Sequence, residues 1–168
     1  MTEKREVKKS RSKSKKLLQH KTTVSAATVQ RFVASERLAA ANIGWRGENF
    51  NRLFLDKVEE NVLAGRIAIS SLVRTSLDPE IMVALGRTRR VTRLAHFFQL
   101  LEKQAKGQTG PLLTNGMANI AYCVGSDGNV WAVSAHWHSF GHCWYVGAHS
   151  VGGPREWIAG LRVLSQVA

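Results

Sequence analysis

Four histidines and a cysteine crowd one stretch of the chain: His136, His138, His142, Cys143 and His149. Imidazole and thiolate are ligands that zinc favours, and a spacing of two along a strand would let His136 and His138 chelate together. A thiol beside an imidazole is also the pairing a cysteine nucleophile needs. Neither chemistry is expected here. Cys143 is shifted by one from the Trp parity, and no acid stands near to orient a ligating ring. His142 and Cys143 are chain neighbours, and neighbours on a strand point to opposite faces. The closest acids, Asp127 and Glu156, lie in a turn and beyond the last long strand. The expectation is a protein without a catalytic residue, a metal or a cofactor.

What positions these side chains is a period of two. Trp131, Val133, Ala135 and Trp137 share one parity, and Ala132, Ser134, His136 and His138 share the other. In the next strand Trp144, Val146, Ala148 and Ser150 alternate with Tyr145, Gly147 and His149. Successive strand residues face opposite ways, so two strands put a Trp/Val/Ala set on one side and a His/Tyr/Ser/Gly set on the other. The first set is large and apolar and belongs against helices, with Trp144 and Trp157 read as core. The second has no consistent size or polarity, as expected where packing constrains one face only.

Elsewhere the apolar spacing predicts helices. Ala26, Val29, Phe32, Val33 and Leu38 fit one from Ser25 to about Asn42, and Phe50, Leu53, Phe54, Val58 and Val62 fit another between Gly47 and Gly65. Residues 66–74 suit strand or helix. Asp78-Pro79-Glu80 reads as an N-cap, a first-turn proline and a first-turn acid. Val91, Leu94, Phe97, Phe98, Leu100 and Leu101 predict a further helix ending near Gly107. A loop follows over 107–116, then strands over 118–124, 130–138 and 143–151. Glu156–Gly160 reads as one helical turn and Leu161–Ser165 as a last strand. The fold class is α+β, with N-terminal helices packed on a C-terminal antiparallel sheet. The expected divisions are a disordered basic tail over 1–22, a helical part over 23–107 and the sheet over 108–168.

The net charge of +12 is uneven. Residues 1–21 hold nine Lys/Arg against Glu3 and Glu6, whereas 108–168 are neutral. The run from Lys4 to Lys21 is broken by serines and lacks apolar periodicity, as a solvated arm would be. Such an arm could hold nucleic acid by counterion release. Near the start there is no apolar signal segment, and no stretch has the ~20 apolar residues of a membrane span. Cys123 and Cys143 do not make a disulfide framework. A cytoplasmic setting is expected, or a virion.

The alternation sits inside a longer pattern. Asn129, Val130, Trp131, Val133, Ala135 and Trp137 are followed by Trp144, Val146, Ala148, Ser150 and Val151, then by Pro154, Trp157, Ala159, Gly160, Val163 and Ser165. This pattern resembles the variable region of the target proteins of diversity-generating retroelements. Leu112–Gly116 and Ala118–Tyr122 resemble the lead-in of that family, so the likeness covers about residues 110–166. In the family a reverse transcriptase misreads adenines in a template repeat, and the altered copy replaces the variable repeat of the target gene. Asparagine codons ending in a fixed C then yield many residues but never Trp, Lys, Glu, Gln or Met. With Glu156 taken as a fixed position, the varied positions obey that limit: Ala132, Ser134, His136, His138, Tyr145, Gly147, His149, Gly153, Arg155, Ile158, Leu161 and Arg162.

The resemblance implies a C-type-lectin-like fold, trimmed because the chain is short, with the varied residues on an exposed ligand-binding face. To that face the turn adds Phe140 and His142. The expected function is a diversified ligand-binding protein whose partner is a macromolecule, a protein above others, and an oligomer is compatible with it. The alternative is a basic nucleic-acid-binding protein that uses residues 4–21 and the Arg87–Arg93 cluster (Arg87, Arg89, Arg90, Arg93).

Overall fold

In a computed structural model, residues 16–167 are described. The chain runs β1 (Leu18–Ala26), β2 (Val29–Val33), α1 (Leu38–Ala41), β3 (Ile43–Arg46), α2 (Glu48–Leu53), β4 (Val58–Val62) and β5 (Gly65–Leu72). There follow β6 (Ser76–Leu77), α3 (Asp78–Leu85), α4 (Leu94–Lys103), β7 (Asn119–Val124), β8 (Val130–His138), β9 (Cys143–Ser150), β10 (Glu156–Trp157) and β11 (Arg162–Gln166). Seven strands form one mixed sheet in the order β1-β5-β11-β7-β8-β9-β3. β11 runs parallel to β7 and β3 parallel to β9, while the other neighbours are antiparallel. Two short ribbons, β2–β4 and β6–β10, stand apart from it. The class is α+β, with a large sheet and few helices.

The C-terminal strands lie where alternation places them. The N-terminal half corrects the helical reading. Over 25–42 the chain forms the end of β1, all of β2, a single 3-10 turn at Ala34–Glu36 and the four residues of α1. Over 47–65 only Glu48–Leu53 is helical, and Val58 and Val62 lie in β4. Val29, Phe32 and Val33 have helix-like spacing but are β-branched or aromatic, and pairing with Val62, Glu59 and Val58 decides their state. Of residues 66–74, those up to Leu72 lie in β5. Ile67 and Ile69 pack on one side of it and Leu72 on the other, so no clean alternation is visible.

Three smaller expectations also change. β1 begins at Leu18, so residues 18–22 belong to the sheet and not to a tail; the reading of residues 1–15 lies outside the described residues. Leu77, not Asp78, is the N-cap of α3. Glu156 and Trp157 form a strand against Leu77 and Ser76 instead of a helical turn.

Helix α4 is the expected one, and a distant residue starts it. Glu59 on β4 is buried and accepts hydrogen bonds from the backbone N–H groups of Leu94 (3.2 Å) and Ala95 (2.8 Å). Its carboxylate thus satisfies orphan donors at the positive end of the helix.

The sheet is covered on both sides. On the first, Val133, Ala135, Trp137, Trp144, Val146 and Ala148 pack with Phe97, Phe98 and Leu101 of α4 and Phe50 and Leu53 of α2. Trp144 is fully buried and donates through Nε1 to the carbonyl of Gln104 (3.1 Å). Gly107, at φ +69°, lets the following loop lie on the Trp137 ring, where a Cβ would overlap the indole. On the second side, Leu72, Ile120, Tyr122, Ala132, Leu161 and Val163 pack with Ile81 of α3 and with Trp157. That second layer ends before β9, and there the sheet surface opens.

Candidate binding cleft

The open part of the second face is a cleft of about 420 Å³. Its floor is Ser134 and Gly147, opposite each other across β8 and β9. The Cα of Gly147 carries no side chain, so the floor dips there. His136 and Tyr145, also paired in register, form one wall, and His149, Arg155 and Trp157 form the other. Trp45 on β3 and Glu48 and Asn49 at the start of α2 close the rim.

The walls are held by ring contacts. The His138 ring stacks on Tyr145, with centroids 4.4 Å apart and planes 4° apart, while His136 meets Tyr145 at 5.4 Å. Trp45 lies 5.5 Å from the same tyrosine and is 51% exposed. His138 Nδ1 accepts from the N–H of Gly141 (2.9 Å), which leaves Nε2 as the protonated nitrogen of the neutral ring. Across the cleft, His149 Nε2 shares a hydrogen bond with Ser134 Oγ (3.1 Å) and its ring meets Trp157 edge-on at 5.5 Å. The Arg155 guanidinium lies 5.6 Å from the centroid of the Trp157 indole, a cation–π distance.

Burial, with the charge of Arg155 as a lesser cause, lowers the His149 pKa to about 4. Burial, then the neighbouring His138, also lowers that of His136. The native state therefore holds His149 neutral while the unfolded chain takes up a proton at the ordinary 6.5. Its contribution to stability is complete above about pH 6.5 and is lost as the pH falls toward 4. Melting curves between pH 7 and 4.5 should show a smaller drop in Tm for His149→Asn than for the parent. Equal slopes would show that His149 carries no such linkage.

The residues expected on one face divide into groups. His136, Tyr145, His149, Ser134, Gly147 and Arg155 line the cleft, with His138 behind Tyr145. Phe140, 91% exposed, and His142 stand at the tip of the β8–β9 hairpin, and Ile158, 59% exposed, follows β10. Gly153 lies in the turn after β9. Ser134 and Gly147 are buried at the cleft floor, and three further positions do not fit an exposed face. Ala132 and Leu161 are buried in the second core layer, beneath α3 and the β6–β10 ribbon. Arg162 alternates with Leu161 and Val163, so it points to the opposite side of the sheet, and it donates to the carbonyl of Gly160 (3.3 Å).

Among the described residues no three His, Cys, Asp or Glu side chains converge on a point, and His136 and His138 flank the Tyr145 ring. Among the described residues no helix is long and apolar enough to cross a membrane. Sequence reasoning missed Trp45, Glu48 and Asn49. Trp45 comes from the gap between the two expected helices, where a four-residue edge strand has too few residues to show a period. Glu48 and Asn49 fall inside the second expected helix, whose apolar spacing says nothing of its polar face. The lead-in residues do find a role. Asn119 is fully buried, accepts from Leu113 N–H (2.8 Å) and donates to the carbonyls of Leu113 (3.1 Å) and Ala135 (3.2 Å). It thereby ties the loop before β7 to β8.

Comparison with family models, curated proteins and solved structures finds no match.

Proposed function

We propose that this protein is a retroelement-diversified binding module, in which the β8–β9 pair presents exchangeable side chains to a macromolecular ligand without covalent chemistry. One observation carries the reading. The same two strands bury Trp137, Trp144, Val146 and Ala148 against α4 and α2 while His136, Tyr145 and His149 border an open cleft. A scaffold so divided tolerates exchange on one side, because a core position feels the loss of a single methylene and a surface position does not. Tyrosine, histidine and tryptophan around a glycine-floored dip are suited to grip a protein loop, offering large contact area at low entropy cost. On this reading the fold is a trimmed C-type-lectin-like one, and Trp45, Glu48 and Asn49 form a constant rim beside a varied centre.

Sequencing the DNA around the gene tests this. A near-copy of the codons for residues 129–165, differing only at adenines and lying beside a reverse-transcriptase gene, is the expected result. A flanking region without such a repeat would remove the diversification reading and leave the cleft as an ordinary binding site.

A further inference from the structure

We propose that a second surface, remote from the cleft, binds nucleic acid through its phosphate backbone, using Arg66, Arg87, Arg89 and Arg90. The fold assembles these four from segments well separated in sequence. Arg66 opens β5, and its carbonyl accepts from Val167 N–H (3.0 Å). The carbonyl of Arg89 accepts from Gln166 N–H (2.9 Å) on the same chain end. Arg66 and Arg89 thus flank the end of β11, about 10 Å apart at two strand spacings. The turn that holds Arg87 is closed by bonds from Arg89 N–H (3.3 Å) and Arg90 N–H (3.2 Å) to the carbonyl of Gly86.

None of the four forms an ion pair among the described residues. Arg66, Arg87 and Arg89 are exposed and Arg90 is half-buried. Residues 65–68, 86–91 and 164–167, which build this corner, contain no Asp or Glu, and the nearby carboxylates are Glu59 and Glu60 of β4, beside Val91–Arg93. The contrast is with Arg93 and Lys57, whose charges lie 3.6 and 3.7 Å from the Glu59 carboxylate. The fold gives those two a shared carboxylate and leaves the other four without an ion-pair partner among the described residues. Guanidinium groups bind phosphate oxygens in a bidentate fork, which makes them the fitting cation for a chain of phosphates. A duplex carries one charge per ~1.7 Å of axis, so a corner ~10 Å long faces several phosphates at once.

By strand order and register the corner lies diagonally across the sheet from His136 and Tyr145, roughly 25 Å away. Cleft and corner can therefore be occupied together, and the inference stands whether or not the cleft is diversified.

The test is fluorescence anisotropy of the full chain with a labelled 30-base-pair duplex over a salt series. Changing Arg66, Arg87, Arg89 and Arg90 together to Gln is expected to weaken binding about ten-fold or more at 100 mM salt. It should also flatten the slope of log K against log salt by about 3 to 4. The matching Lys variant should keep most of the slope. Arg87→Gln and Arg89→Gln alone should each lower it by about 1, a readout that survives if the fourfold variant does not fold. Unchanged affinity and slope in the Gln variants would overturn the proposal and place any binding elsewhere on the chain. Displacement of the duplex by polyglutamate as readily as by unlabelled duplex of equal charge would overturn it in favour of an acidic protein surface.

Discussion

Trp144→Ala is expected to remove about 3–5 kcal/mol of stability, the usual loss for a buried aromatic truncated to alanine. Two effects combine. The indole is fully buried, edge-on to Trp137 at 5.4 Å, so its loss leaves a large cavity in the core. Its Nε1 also donates to the carbonyl of Gln104, which would keep only its bond from Gly107 N–H. Against this stands the opposite face of the same strands. Changing His136, His138 and His149 to Asn and Tyr145 to Ser together should cost about 2 kcal/mol, less than the Trp144 truncation, since each site is only partly buried and surface exchanges fall near ±0.5 kcal/mol. His136 and His138 both touch the Tyr145 ring, so the effects of those three will not add simply. Chemical denaturation of the two variants checks the claim. If the fourfold variant lost as much stability as Trp144→Ala, the face would be core and not display.

That contrast shows what was legible in the residues. β8 and β9 announced themselves because Trp, Val and Ala recur at every second position over a long antiparallel pair. The helix over Leu94–Lys103 was legible for the matching reason, an apolar stripe at helical spacing. β2 and β4 were not, because Val29, Phe32 and Val33 suit a helix equally well until a partner thirty residues away supplies the other half of the ribbon. Alternation also says which side a residue faces and nothing about what covers that side. Ala132 shares a parity with Ser134 and His136, yet α3 and the β6–β10 ribbon lie over Ala132 and stop short of His136. The cover comes from Ser76–Leu85 and Glu156–Trp157, segments whose docking no local pattern records. The same limit hid Trp45, whose place in the cleft depends on a parallel pairing of β3 with β9.

Asp78 joins that cover to the sheet, and its replacement is the second large effect expected. The carboxylate is completely buried, and its Oδ1 accepts from both the Tyr122 hydroxyl and Trp157 Nε1, each at 2.7 Å. Asp78→Ala leaves two buried donors unpaired, at about 1–3 kcal/mol each, so a loss of about 3–5 kcal/mol is expected. Asp78→Asn keeps an acceptor for both donors and removes the charge. Burial holds the Asp78 pKa above the usual carboxylate value, against the opposing pull of the two hydrogen bonds and of Arg155. The native state therefore keeps a proton that the unfolded chain releases first. The stability this confers is complete below the ordinary carboxylate pKa of 3.8 and is lost as the pH rises through the raised value. This slope is opposite to that of His149. Tm measured from pH 4 to 7 should thus rise more steeply in Asp78→Asn than in the parent, because the variant lacks a term that falls over that range. Parallel curves would mean that Asp78 ionises as readily in the folded protein as in the unfolded chain. Because Trp157 is at once a partner of Asp78 and a wall of the cleft, Asp78→Ala should also loosen the Arg155 side of the binding surface, even though Asp78 itself does not line the cleft.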